Sequence, residues 1–333
     1  MKGRALSSLL ALAVTGVVLA STGTAQPAER FRVGIVIGST GVKYPIGGLM
    51  RDGLERAVRE LGVEGTVLTS GAREGSLPTF LSLARKRYDL VIGFESEFRA
   101  IDEAAQRFPK VRFVLVSIPH EALPHRPKNV SAVVFAEQEV GYLAGYLAAL
   151  MEKRRPGKDV ISSVGGFKYA SVDRFVAGYQ AGAKKASPGV TLLNAYANEF
   201  LDQAKCRRAA LAQIAKGSGV VFPVAGDCGF GALEAAKEKG VFGIGVDIDQ
   251  SSLGPHILTS AVKRFDSAVF EAIKEAKSGR FEGGRTKVLR LRDGALGLGK
   301  ISPKVPPALV ARVERIKRQI VSGKIRNIPT TVR

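Results

Sequence analysis

The sequence predicts an α/β protein of two doubly wound, parallel-sheet lobes. Three observations point there. Apolar, β-rich runs alternate with helical patterns through most of the chain. The strand-like runs have no wet face, so each is buried on both sides between helices. The alternation comes in two series with a break near residues 118–136. At about 100–200 residues per domain, 333 residues suffice for both lobes.

Each element follows from its pattern. Phe31–Gly38 reads as a strand, and Ile46, Leu49, Met50, Leu54, Val58 and Leu61 then share one helical face. Strands at Thr66–Thr69, Asp89–Phe94 and Arg112–Ser117 alternate with helices at Leu77–Arg87 and Arg99–Arg107. A loop, Ile118–Asn129, leads to an extended Val130–Phe135 and a long apolar helix, Glu137–Lys153. The second series reads as strands Val160–Val164, Val190–Tyr196, Val220–Ala225 and Phe242–Asp247. Its helices are Val172–Ala186, Gln203–Lys216 and Ala232–Lys239. The lobes are expected over residues 30–135 plus 256–282 and over 136–255 plus 283–330.

The first 28 residues read as lying outside the fold. Lys2 and Arg4 precede an apolar run, Ala5–Ala20, and small residues follow. Residues 1–25 are therefore expected to be a secretory signal, too short for the ~20 apolar residues of a span. No Cys stands near the cut for lipid attachment. The expected product is a soluble exported protein, periplasmic or otherwise extracytoplasmic. Its removal takes away Lys2 and Arg4 and leaves 48 basic against 30 acidic residues, or +18. The basic residues come in scattered clusters such as Arg85-Lys86-Arg87 and Lys153-Arg154-Arg155, without interleaved aromatics. That pattern describes a solvated coat, and no nucleic-acid partner is expected.

Composition excludes further classes. Two Cys and three His cannot assemble a classical zinc site or a haem attachment pair, so no metal is expected. No GxSxG elbow, Ser/His/Asp set or Cys/His pair stands out, and no catalytic residue is assigned. His120, His125 and His256 read as structural or solvated. Gly226-Asp227-Cys228-Gly229-Phe230-Gly231 is spaced GxxGxG, not GxGxxG, and lies deep in the chain. It reads as a backbone cradle at a helix N-terminus, and no cofactor is expected. Cys206 and Cys228 flank neighbouring site loops, and they are either a disulfide or two buried thiols.

In open α/β sheets ligands bind outside the carboxyl ends of the strands. Those positions carry Ser39–Tyr44, Phe94–Glu97, Asn198–Asp202, Gly226–Gly231, Asp247 and Lys263. Aromatic rings, carboxylates, a lysine and Gly-rich backbone suit a small polar ligand with a flat part. Asp247 and Asp249 stand close together where a strand ends, and one of them is expected to point at the ligand and the other away.

The chain resembles the basic membrane protein family, the substrate-binding proteins of purine-nucleoside ABC transporters. The resemblance runs through Phe135-Ala136-Glu137-Gln138-Glu139-Val140-Gly141-Tyr142-Leu143-Ala144-Gly145, Val164-Gly165-Gly166 and Arg174-Phe175-Val176-Ala177-Gly178-Tyr179. It continues in Phe200-Leu201-Asp202, Val224-Ala225-Gly226, Ile244–Gln250 and Leu258–Arg264, and covers roughly residues 31–329. It implies the type I periplasmic-binding-protein fold, a ligand in the interlobe cleft, and a membrane permease that receives it. By resemblance, Phe200 stacks on the base, Asp247 grips ribose hydroxyls, Lys263 is the cation beside it, and Gly226 and Asp227 approach by their backbone. Phe94 and Tyr44 are expected as further ligand contacts, Tyr44 in place of a second stacking ring.

Departures gather in the first lobe. The first strand ends in Gly38-Ser39 where relatives carry Asp, and Glu95 and Glu97 are displaced from another usual Asp. Ser117 and Cys228 replace a common Asp and Thr. The expected function is a monomeric nucleoside receptor, not an enzyme. Alternatives are a receptor or sensor for another flat heterocycle such as a flavin, and a nicotinamide-dependent enzyme.

Overall fold

The computed structural model describes residues 30–38, 45–71, 75–157 and 159–332, and the expected signal segment and Tyr44 lie outside them. Phe31–Arg333 forms one compact unit. Its first series comprises β1 (Arg32–Ile37), α1 (Pro45–Leu61), β2 (Glu64–Thr69), α2 (Leu77–Arg85), β3 (Leu90–Gly93), α3 (Phe98–Arg107), β4 (Arg112–Val116) and β5 (Val130–Phe135). α4 (Glu137–Glu152), β6 (Val160–Gly165), α5 (Ala170–Ala186), β7 (Thr191–Tyr196) and α6 (Gln203–Ala215) follow. The series continues with β8 (Val220–Val224), α7 (Cys228–Glu238), β9 (Phe242–Asp247) and β10 (Ile257–Lys263). The chain then forms α8 (Phe265–Lys277), β11 (Arg285–Leu289), β12 (Leu296–Leu298) and α9 (Pro307–Val321).

Two six-stranded sheets result, in the orders β11-β5-β4-β3-β1-β2 and β12-β10-β9-β8-β6-β7. Every pairing is parallel except β10 with β12. The central strands β3 and β8 are buried throughout, as their uninterrupted apolar runs require. The chain passes between the sheets three times, at β5 to α4, β10 to α8, and β11 to β12.

These crossovers correct the expected lobe boundaries. β10 pairs with β9 in the second sheet, whereas β11 pairs with β5 in the first. The expected division had placed both in the opposite lobes. Strand pairing is non-local, so alternation alone does not say which sheet a late strand joins.

α4 shows why its sequence is apolar all round. It packs against α5, α9, β10 and β12, and nearly every residue is buried. Its contact with α5 is close because glycines face each other. A Cβ on Gly145 would lie 1.8 Å from the Tyr179 carbonyl oxygen, and one on Gly182 would lie 1.9 Å from that of Tyr142. Among the described residues no helix is long and apolar enough to cross a membrane.

Candidate functional site

In each sheet the strand order reverses beside one strand, between β1 and β3 in the first and between β6 and β8 in the second. The loops leaving these strands are where a ligand crevice forms. They carry Gly38 and Phe94–Glu97 on one side, and Gly166–Tyr169 and Ala225–Asp227 on the other.

The charged centre lies where β9 and β10 end. Lys263 Nζ sits 3.0 Å from Asp247 Oδ1 and 3.7 Å from Glu137 Oε1, and the lysine side chain is 6% exposed. Arg174 Nε donates to Glu137 Oε2 at 2.6 Å. Three rings surround the ammonium, those of Phe265, Phe175 and Phe135, with centroids 5.0, 5.3 and 5.6 Å away. Burial alone would lower the Lys263 pKa, but Asp247 and Glu137, aided by Glu95, outweigh it and hold the ammonium above its ordinary range. The contact with Asp247 is close yet poorly angled, and Asp247 Oδ1 accepts no hydrogen bond among the described residues. Asp247 holds φ +65°, a left-handed conformation that L residues occupy at a cost. Asp249 instead accepts from the Ser251 and Lys300 backbone N–H groups.

The first lobe answers with Glu95. Burial pushes its carboxyl up, Lys263 pulls it partly back, and Glu137 and Asp247 add to the rise. Glu95 thus lies within reach of the charges of Lys263, Glu137 and Asp247, on the loop that leaves β3. Glu97 is different. Its carboxylate accepts from the Phe94 backbone N–H at 3.2 Å and from Ser96 Oγ at 2.6 Å, so it shapes its own loop. Phe94 is half-buried and meets Phe265 edge-to-face at 5.7 Å. Ser117 follows β4 with φ +78°, and its buried hydroxyl has no hydrogen-bond partner among the described residues.

The second lobe supplies an aromatic corner. Phe200 lies over Gly166, where a Cβ would come within 2.2 Å of the ring. Phe167 meets Phe200 edge-on at 5.2 Å, and Tyr169 lies tilted to it at 5.8 Å and stacks on Phe167. Tyr169 is 49% exposed and Leu201 64%, so apolar surface is open here. Sequence reasoning missed Phe167 and Tyr169, although their place directly after β6 was a usable signal.

The Gly226–Gly231 segment is not all loop. α7 begins at Cys228, so only Gly226 and Asp227 precede it, and burial raises the Asp227 carboxyl. Cys206 and Cys228 are joined as a disulfide with Cα atoms 5.4 Å apart. The Cys228 N–H also bonds the Phe200 carbonyl at 2.9 Å, so this staple anchors the aromatic corner. Among the described residues no cluster could hold a metal ion.

Two parallel-sheet lobes tied by three crossovers, with polar and aromatic groups gathered where the strands end, define a solute-binding protein of the periplasmic-binding class. The family described as ABC transporter substrate-binding protein PnrA-like matches residues 43–330. The chain belongs to this family, also known through the basic membrane proteins, and is a substrate-binding protein of ABC transporters. It is 32% identical to a CD4+ T-cell-stimulating antigen of Listeria monocytogenes, over 80% of this chain and 78% of that one. It is 30% identical to the ABC transporter nucleoside-binding protein BmpA of Lactococcus lactis, over 84% and 82%. Among solved structures, an ABC transporter solute-binding protein from Aeropyrum pernix superposes with a TM-score of 0.75 at 25% identity, covering 90% of this chain and 94% of that one. A transcriptional activator of the comK gene from Bacillus halodurans shares the fold, with a TM-score of 0.77 at 21% identity over 89% and 99%.

Proposed function

We propose that the protein is an exported receptor that binds a purine nucleoside in the interlobe cleft and delivers it to a membrane permease. One observation carries the reading. The half-buried Asp247, paired with buried Lys263, and the Phe200 corner both stand at strand ends of the second lobe, a hydroxyl-binding end and a ring-binding end. Asp247 Oδ1 accepts hydroxyl hydrogens, with the Lys263 ammonium beside it at 3.0 Å. Phe200 offers a stacking face worth ~1–3 kcal/mol per base.

Charge argues for a nucleoside over a nucleotide. Buried Lys263 and half-buried Arg174 are already committed to Asp247 and Glu137. Adding a phosphate would place its charge against Glu95, Glu137 and Asp247. The nucleoside-binding relative from Lactococcus supports the same ligand class. We further propose that residues 1–25 are a cleaved export signal and that the receptor works as a monomer. Gly226, Asp227, Phe94 and Tyr44 complete the proposed contacts.

The test is thermal unfolding of the chain from Gln26 onward with inosine, guanosine, adenosine, cytidine, riboflavin, ribose and NAD. A ligand at 100 times its dissociation constant stabilises by ~2.7 kcal/mol. A shift with purine nucleosides supports the reading. A shift with riboflavin alone moves the assignment to a flavin, and the departures at Glu95 and Ser117 favour testing it. Stabilisation by NAD alone would revive the nicotinamide alternative.

A further inference from the structure

We propose that Glu137 is the positioning residue of the ligand site, holding the Lys263 ammonium where it supports Asp247 without capping it. The inference deepens the nucleoside reading and rests on it for its ligand. Glu137 is wholly buried and is the first residue of α4, directly after the first crossover. Arg174 takes up Oε2, which leaves Oε1 facing Lys263 at 3.7 Å. Lys263 is the last residue of β10, directly before the second crossover, and its other neighbour is Asp247 at 3.0 Å. The ammonium therefore lies between one carboxylate that faces the hinge and one that faces the ligand.

The rings beside it tie the same two crossovers together. Phe135 precedes Glu137 by two residues, Phe265 follows Lys263 by two, and the rings meet edge-to-face at 5.2 Å. The third crossover is held from the same turn of α4. Glu139 accepts from Arg290 Nη1 and from the Leu291 backbone N–H, each at 2.9 Å. The first turn of α4 thus grips both other passages between the lobes.

The consequence concerns competition for one oxygen. With the Glu137 carboxylate in place, the Lys263 ammonium is shared between it and Asp247, and Asp247 Oδ1 keeps capacity for ligand hydroxyls. With an amide in place of that carboxylate, Asp247 is the remaining carboxylate beside the ammonium, and ligand hydroxyls must displace it. Glu137 thereby acts through Lys263 on hydroxyl recognition and not on ring stacking.

Calorimetric titration of wild type and Glu137→Gln with inosine and with 2′,3′-dideoxyinosine tests this. The expected result is a loss of about tenfold or more for inosine and less than about twofold for the dideoxy analogue. Equal losses on both ligands, or none on either, overturn the proposal. If Glu137→Gln does not fold, Glu137→Asp is titrated with the same pair, and a ligand-independent loss overturns it. If wild type binds neither compound, the nucleoside reading fails separately. The positioning claim is then read on ligand-free protein from acetylation of Lys263 by acetic anhydride, followed by mass spectrometry. Glu137→Gln is expected to react several-fold faster at Lys263, and an unchanged rate overturns the proposal.

Discussion

Lys263→Met isolates the buried charge at the centre of the site. Methionine retains an unbranched apolar stem among Phe135, Phe175 and Phe265 and removes only the ammonium. At an effective dielectric near 20, a unit charge 3.0 Å from Asp247 and 3.7 Å from Glu137 gains about 5 kcal/mol from each. Desolvation of the lysine offsets much of that gain. Removing one partner of such a cluster, and so stranding the other charges, costs about 3–5 kcal/mol. For a chain of this size the unfolding midpoint should fall by roughly 10 °C. The pH dependence has a definite sign. Lys263 is held above its ordinary value, so its contribution is complete below the unfolded lysine pKa and is lost only as pH rises through the folded one. The gap between wild type and variant should therefore stay constant from about pH 6 to 9 and close only in strong alkali. Adding Asp247→Asn to Lys263→Met should recover part of the loss, because Asp247 has no other cation partner among the described residues and its stranded carboxylate is removed with the lysine. Differential scanning calorimetry of the four proteins measures all of this. A Lys263→Met midpoint within 2 °C of wild type, or no recovery in the double variant, would refute the reasoning (threshold of order 1 kcal/mol).

Other perturbations follow from the same structure. Glu95→Gln should unfold at a higher temperature than wild type at pH 7. The raised carboxyl costs stability once ionised, so the gain should vanish near pH 4, as paired melting curves would show. Denatured, unreduced protein should show no reactive thiol, and reducing the Cys206–Cys228 bridge, whose partners are 22 residues apart, should cost about 3 kcal/mol in urea unfolding. Phe200→Ala should weaken purine nucleosides about 5- to 150-fold and leave ribose binding nearly unchanged, as calorimetry on both would report. Gly145→Ala should destabilise by about 3 kcal/mol or more, since its methyl group would sit inside the Tyr179 carbonyl contact.

The physics of each residue decides how much of this was legible in sequence. Asp247 and Lys263 could be placed at strand ends because mostly apolar runs precede them and the crevice rule then applies. Glu137 gave no such signal, since an acidic residue opening a helix is ordinary and only tertiary contact reveals its two cations. The start of α7 was obscured by Gly229 and Gly231, poor helix formers tolerated here because Gly231 packs on the Gln203 backbone. β11 is a polar edge strand, largely exposed, and carries no alternation to read. Glu95 and Glu97 looked equivalent in sequence, and only the hydrogen bonds to Phe94 and Ser96 separate the loop-shaping carboxylate from the one facing the cleft.

Isothermal titration of inosine and guanosine into the ligand-stripped mature chain, with Asp247→Ala alongside, addresses the central claim most directly. The account predicts one site per chain for at least one of these nucleosides and a loss of about tenfold or more in Asp247→Ala. Saturable binding that Asp247→Ala leaves unchanged would place the ligand elsewhere, and absence of binding to either nucleoside would contradict the purine-receptor reading.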